Sequence, residues 1–179
     1  MVWRITTDEL LARYNTGERN FAGVEILRIV GEMGERDGVD GPITGLEGSD
    51  LRGINLRGAN LRDVRLSEAN LTGSDLFGAY LGYSVLYKTI LQNANLFSTN
   101  LTGAVLVEAD LTGADMTHVK AVGTSFIGAK VGYLERADLS YANFRDCNVN
   151  GEGLCRKFNF ILNTTMPDGT VKEGPHCVW

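Results

Sequence analysis

The chain has 179 residues, 22% of them charged, and a formal net charge of −5, enough for one domain with a sizeable core. The negative balance excludes nucleic acid as a default partner, because gripping a phosphate backbone takes a clustered positive surface. No run of about 18 apolar residues occurs, so no membrane span is expected.

Met1 to Thr7 lack the charged-then-apolar pattern of a signal peptide, and a cytoplasmic location is expected. Thr6, Thr7, Asp8 and Glu9 then precede Leu10, Leu11 and Tyr14. Thr6 with Glu9 fits a capping box and Gly17 fits a helix stop, which predicts a short helix at about 7–15. After it, Asn20 with Phe21, and Val24 to Ile26, place Phe21 and Ile26 as the first inward residues. Residues 27–43 interrupt this order. Leu27, Arg28, Ile29 and Val30 read as a strand candidate, and Gly31, Gly34, Gly38, Gly41 and Pro42 as an excursion. Glu32, Glu35, Asp37 and Asp40 lack the alternating ligands and terminal Glu of a calcium loop, so a solvated acidic loop is expected.

From Leu46 an apolar residue recurs every five positions. The series runs through Leu51, Leu56 and Leu61 to Leu111, then Met116, Ala121, Phe126 and Val131. Two positions earlier sits a small residue, as at Ala59, Ser74, Ala104 and Ala109. The position just before each centre is often Asn or Asp, as at Asn55, Asp75, Asn95 and Asp115. A helix would scatter these leucines around its circumference, and a flat strand would put alternate ones on opposite faces. The pattern fits a coil in which each five-residue unit makes one side, with the centre and the small residue inward. The motif A-(D/N)-L-x-x resembles that of the pentapeptide-repeat family. The resemblance implies an all-β solenoid, a right-handed quadrilateral parallel β-helix with about four repeats per coil.

The spacing slips once. After Val131 the next centre is Leu134, then Leu139, Phe144, Val149 and Leu154, with small partners at Ala137, Ala142 and Cys147. Gly132 and Tyr133 thus mark a coil shortened by two residues. Met166, Pro167, Asp168 and Gly169 form a turn with Pro second. Phe158, Phe160, Ile161 and Leu162 lead into it as part of a hairpin or extended segment over the last coil. One domain follows: residues 1–26 as helix cap and first repeats, 27–43 as insertion, 44–156 as β-helix, 157–179 as C-terminal cap. Both "LLARYNTGERNF" and "NTTMPDGT" resemble segments of family members from photosynthetic bacteria. One such architecture is associated with control of cell differentiation through a protein partner.

Nothing points to catalysis or to a cofactor. His118 and His176 have no partner visible in the sequence, and there is no phosphate loop or metal-ligand cluster. Cys147, Cys155 and Cys177 are an odd number without an export signal, so three reduced thiols are expected. Two binding functions remain open. The first is a protein-binding scaffold of unknown partner, possibly a second copy. The second, implied by the family, is a DNA-mimicking modulator of a type II topoisomerase such as gyrase. Against mimicry, Arg52, Arg57, Arg62 and Arg65 ring the first coils. In favour of a scaffold, Val85, Tyr87, Val105, Val107 and Ile127 flank inward centres on one side and form a candidate protein-contact strip. Such residues also suit plain outward strand positions. Phe77 and Phe97 should stack, with Tyr80, Tyr83 and Ile90 nearby.

Overall fold

From Leu46 to Phe126 each five-residue unit closes on itself. The N–H three residues after a centre donates back to the centre's carbonyl, as Ala104 N does to Leu101 O at 2.9 Å. A turn of this kind wants a positive φ at its third residue, which Gly103 supplies at 68°. Tyr83 and Lys88 adopt the same conformation at 59° and 55°. The Asn or Asp before each centre now has a physical reason. Its side chain accepts the N–H two residues on, as Asn100 Oδ1 does from Thr102 N (3.0 Å) and Asp75 Oδ1 from Phe77 N (3.1 Å).

The computed structural model describes residues 3–27, 45–149, 151–155, 158–174 and 176–177. In the middle of the chain, parallel bridges join residues twenty apart: Asn55 to Asp75, Tyr80 to Asn100, Val85 to Val105, Ile90 to Asp110. These four pairs belong to four ladders, and each ladder is one side of a solenoid. The first side carries the centres Leu51, Leu71, Leu91 and Leu111; the second, Leu56, Leu76, Leu96 and Met116. The third carries Leu61, Leu81, Leu101 and Ala121; the fourth, Leu66, Leu86, Leu106 and Phe126. Each side gives one bridge per coil, so extended strands do not develop.

The expected centres from Leu46 to Phe126 are all buried, and Val131 is 8% exposed. Each leucine removed from water contributes about 1.5–3 kcal/mol before chain entropy is counted. The small position is inward too. Where it is threonine, the hydroxyl reaches a carbonyl of the preceding coil, as Thr99 Oγ1 does to Leu76 O (2.8 Å) and Thr124 Oγ1 to Leu101 O (2.7 Å). Phe126 stacks on Phe144 of the next coil, centroids 4.7 Å apart.

The slip is where the spacing placed it. Asp110 bridges Lys130 at twenty residues, but Asp115 bridges Tyr133 at eighteen, as Lys120 does Asp138. The next coil is longer: Asp138 pairs with Phe160 and Asn143 with Thr165, a spacing of 22. Here the sequence reading needs correcting. Val149 and Leu154 are not coil centres: Val149 is half-buried, and Leu154 is buried from helix α2 (Gly151–Cys155). Cys147 is half-buried and its thiol donates to Phe126 O. The chain detours because asparagine side chains do there what backbone does elsewhere. Asn148 Oδ1 accepts Val131 N at 2.8 Å. Asn159, fully buried, accepts Ala137 N at 3.0 Å and donates to Leu154 O at 3.2 Å.

At the C-terminal end, β3 (Phe160–Ile161) pairs antiparallel with β6 (His176–Cys177), and β4 (Thr164–Thr165) with β5 (Val171–Lys172). The β4–β5 hairpin turns through Pro167, with Gly169 N donating to Met166 O at 2.9 Å. At the other end, β1 (Arg4–Ile5) runs parallel to β2 (Glu25–Ile26). Phe21 and Ile26 are buried as expected. Asn20 and Glu25 bridge Asn55 and Asn60 at 35 residues, so the connection exceeds a regular coil by fifteen (35 − 20). The acidic loop and the strand candidate at 28–30 lie outside the described residues.

Helix α1 (Thr7–Asn15) begins at Thr6, whose Oγ1 accepts Glu9 N at 3.1 Å, and Gly17 follows with φ 101°. Its inward residues, Thr7, Leu10 and Tyr14, are buried, and Tyr14 donates to Arg52 O at 2.8 Å. Trp3 stacks on Phe21 at 5.7 Å, with Arg13 over the Trp3 ring at 4.6 Å. Deleting residues 1–17 is therefore expected to expose Phe21 and the first ladder and to drive aggregation. Sedimentation velocity over a tenfold concentration range checks it; a truncated chain that stays monomeric throughout shows that α1 is not a cap.

Candidate functional site

The strip predicted on the fourth side is continuous but half-buried. Val85 bridges Val105, and Lys88 N donates to Val107 O at 3.0 Å, so the apolar flanks stack coil upon coil. Stacking covers much of Val85, Tyr87, Val105, Val107 and Ile127, leaving each partly open to solvent. A charged rim borders them. Lys88 Nζ lies 5.1 Å from the Tyr87 ring centroid and 3.6 Å from the Glu108 carboxylate. The Tyr87 hydroxyl, and then Glu108, push the Lys88 ammonium above its ordinary value.

On the second side Phe77 and Phe97 stack as expected, 5.5 Å apart and 1° from parallel. His118 is not without a partner: its ring sits edge-on to Phe97 at 5.3 Å. The carboxylates of the first two sides are largely answered. Arg57 binds Asp75 at 3.1 Å while lying 4.2 Å over Phe77, and Asn95 Nδ2 donates to Asp75 at 3.0 Å. Arg52 holds Asp50 at 2.6 Å. Burial pushes the Asp110 carboxyl up, but hydrogen bonds from Thr112, Gln92 and Lys130 outweigh it and hold the group well below the usual range.

The third side carries two strongly exposed tyrosines. Tyr80 and Tyr83 are 56% and 53% exposed, more open than the residues of the predicted strip. They flank Gly82, which is buried, and form the walls of a groove of about 800 Å³ that Arg62 and Lys120 also line. Arg62 lies over the Tyr83 ring at 4.9 Å. Sequence reasoning noticed both tyrosines but not the site. The missed signal was a glycine at an outward position where neighbouring sides hold Phe77 or Tyr87.

The family model for pentapeptide repeats matches residues 46–78 and 89–128, in 8 copies. The chain is a pentapeptide-repeat protein. It is similar in structure to a pentapeptide-repeat protein from the Arabidopsis thaliana thylakoid lumen, at 20% identity over 70% of this chain and 86% of that one, TM-score 0.49. It is also similar to HetL, a pentapeptide-repeat protein involved in heterocyst differentiation regulation from the cyanobacterium Nostoc sp. strain PCC 7120. That match has 23% identity over 94% of this chain and 100% of that one, TM-score 0.33. A third similarity is to QnrB1, a plasmid-mediated fluoroquinolone resistance protein, at 19% identity over 74% of this chain and 66% of that one, TM-score 0.35. No curated protein sequence matches the chain.

The groups that could carry chemistry in this pentapeptide-repeat protein are scattered. Burial pushes the Cys147 thiol up to about 11, so it is protonated at neutral pH, and Cys155 is a free, half-buried thiol. Among the described residues, no three His, Cys, Asp or Glu side chains converge as metal ligands. No helix among them is long and apolar enough to cross a membrane.

Proposed function

We propose that this pentapeptide-repeat protein is a non-enzymatic, cytoplasmic scaffold, a right-handed quadrilateral β-helix that binds a partner protein or a second copy of itself. The whole chain acts as one unit, with residues 1–26 and 157–179 as its ends. The observation that supports this reading is the continuous apolar strip on the fourth side, rimmed by the Lys88–Glu108 pair. Apolar centres with a polar rim are how protein interfaces are built, and a tyrosine such as Tyr87 is a frequent anchor. The gyrase reading is less well supported. A duplex mimic needs unanswered negative charge, whereas Asp75 is held by Arg57 and Asp110 by Lys130.

The double variant Tyr87→Glu, Val105→Lys tests the scaffold. Neither residue fills the core, so circular dichroism and melting temperature should match the parent. Association should weaken at least tenfold, because the new charges would be desolvated in an apolar contact. Sedimentation equilibrium reads self-association, and a pull-down followed by titration of the captured protein reads a partner. A folded double variant that keeps every interaction of the parent makes the strip ordinary strand surface.

A further inference from the structure

The third side presents a different chemistry. Asn60 Oδ1 accepts Arg62 N (3.3 Å) and Asn100 Oδ1 accepts Thr102 N (3.0 Å). With their oxygens committed to the backbone, both asparagines offer amide N–H₂ groups as donors. The Tyr80 and Tyr83 hydroxyls and the Arg62 and Lys120 cations line the same groove. Lys120 is exposed and has no ion-pair partner among the described residues. Among the lining residues the one carboxylate is Glu25, which holds Arg4 at 2.6 Å; Asp63 and Asp138 do not line the groove. The groove is thus rich in donors and poor in free acceptors, in a chain whose net charge is −5. A sugar would leave its hydroxyl donors unmatched there. A carboxylate only accepts.

The spacing adds a dimension. Arg62 and Lys120 belong to coils three steps apart, those of Leu61 and Ala121. At roughly 4.8 Å per coil that is about 14 Å, or about four residues of extended chain. Between them stand Tyr80 and Tyr83, whose exposed rings line the groove. Residues four apart on an extended chain point the same way, as does the residue midway.

We infer that the third-side groove binds an extended acidic peptide segment of a partner protein, with two carboxylates four residues apart meeting Arg62 and Lys120 and an apolar residue between them against the Tyr80 and Tyr83 rings. This inference rests on the protein-binding reading but not on the fourth-side strip.

The probe is a fluorescein-labelled peptide, Ser-Glu-Ser-Leu-Ser-Glu-Ser, followed by fluorescence anisotropy, with its Gln-for-Glu counterpart and a heparin hexasaccharide as comparisons. Two variants remove the two contacts separately. Lys120→Glu reverses the free cation. Gly82→Leu puts a side chain between Tyr80 and Tyr83, and its Cβ would stand 3.5 Å from Thr102 O, an ordinary contact at a backbone φ that is not positive. Both should keep the parent's circular dichroism. Saturable binding of the Glu peptide by the parent is expected. Each variant should weaken it at least tenfold, and raising NaCl from about 50 to about 500 mM, one tenfold rise in ionic strength, should weaken it further. Equal binding of the Gln peptide, parent-like binding by both variants, tighter binding of the hexasaccharide, or no saturation overturns the inference. The Tyr87→Glu, Val105→Lys protein should bind the peptide like the parent. Failure of the strip and failure of the groove are therefore separate results.

Discussion

Leu101→Asp is expected to unfold the protein. Leu101 is fully buried at the middle of the third side. Its N–H donates to Lys120 O at 2.8 Å, and its carbonyl accepts both Ala104 N and Thr124 Oγ1. No Lys, Arg or His among the described residues is buried, so a carboxylate there stays unpaired or takes up a proton, at a cost of several kcal/mol either way. A domain of this kind holds about 5–15 kcal/mol in total. The loss is also badly placed, since a solenoid's stability lies in the interfaces between neighbouring coils and this substitution opens one in the middle. Leu101→Ala is the milder control, costing roughly 2–5 kcal/mol through the cavity it leaves. Far-UV circular dichroism and thermal melts check both. A soluble, folded Leu101→Asp protein with an unchanged melting temperature would mean that Leu101 does not point inward.

The centres were legible because every unit solves the same local problem. A turn, a bridge and an inward leucine recur at each fifth position, so one rule covers residues 46–131. The slip at Gly132 could be read for the same reason, as a break in a strict period. The detour after Phe144 could not. Asn148 and Asn159 end the coils with side-chain hydrogen bonds, and nothing in a five-residue period marks an asparagine that is fully buried. The half-burial of the strip was also hidden. Which flank leans on which depends on how closely coils stack, and Val85 is covered by Val105, twenty residues away. The groove escaped because its key feature is an absent side chain. Gly82 looks like any turn glycine until Tyr80 and Tyr83 are seen to stand on either side of it.

Gly132→Ala is the second large effect, and it tests how the shortened coil is held. A Cβ at Gly132 would lie 2.5 Å from both Ala114 O and Leu111 O and 3.0 Å from Ala114 N. These are backbone atoms of the coil below and cannot swing aside as a side chain can. Ala114 O also accepts Tyr133 N at 2.8 Å, the first hydrogen bond after the two-residue deletion. Relieving the clash therefore pulls apart the contact that restores the ladder. Overpacking of this sort costs about 1–3 kcal/mol, at times more, and a chain this long melts roughly 2–4 °C lower per kcal/mol. Gly82→Ala supplies the opposite sign. Its methyl would meet only Thr102 O at 3.5 Å, so the main effect is a less flexible unfolded chain, worth about 0.4–1 kcal/mol of added stability. The two glycines should thus separate in melting temperature, Gly132→Ala falling below the parent and Gly82→Ala rising above it. If Gly132→Ala melts with the parent, the coil at 131–134 is not fixed by close backbone approach, and the shortening is a slack corner rather than a tight one.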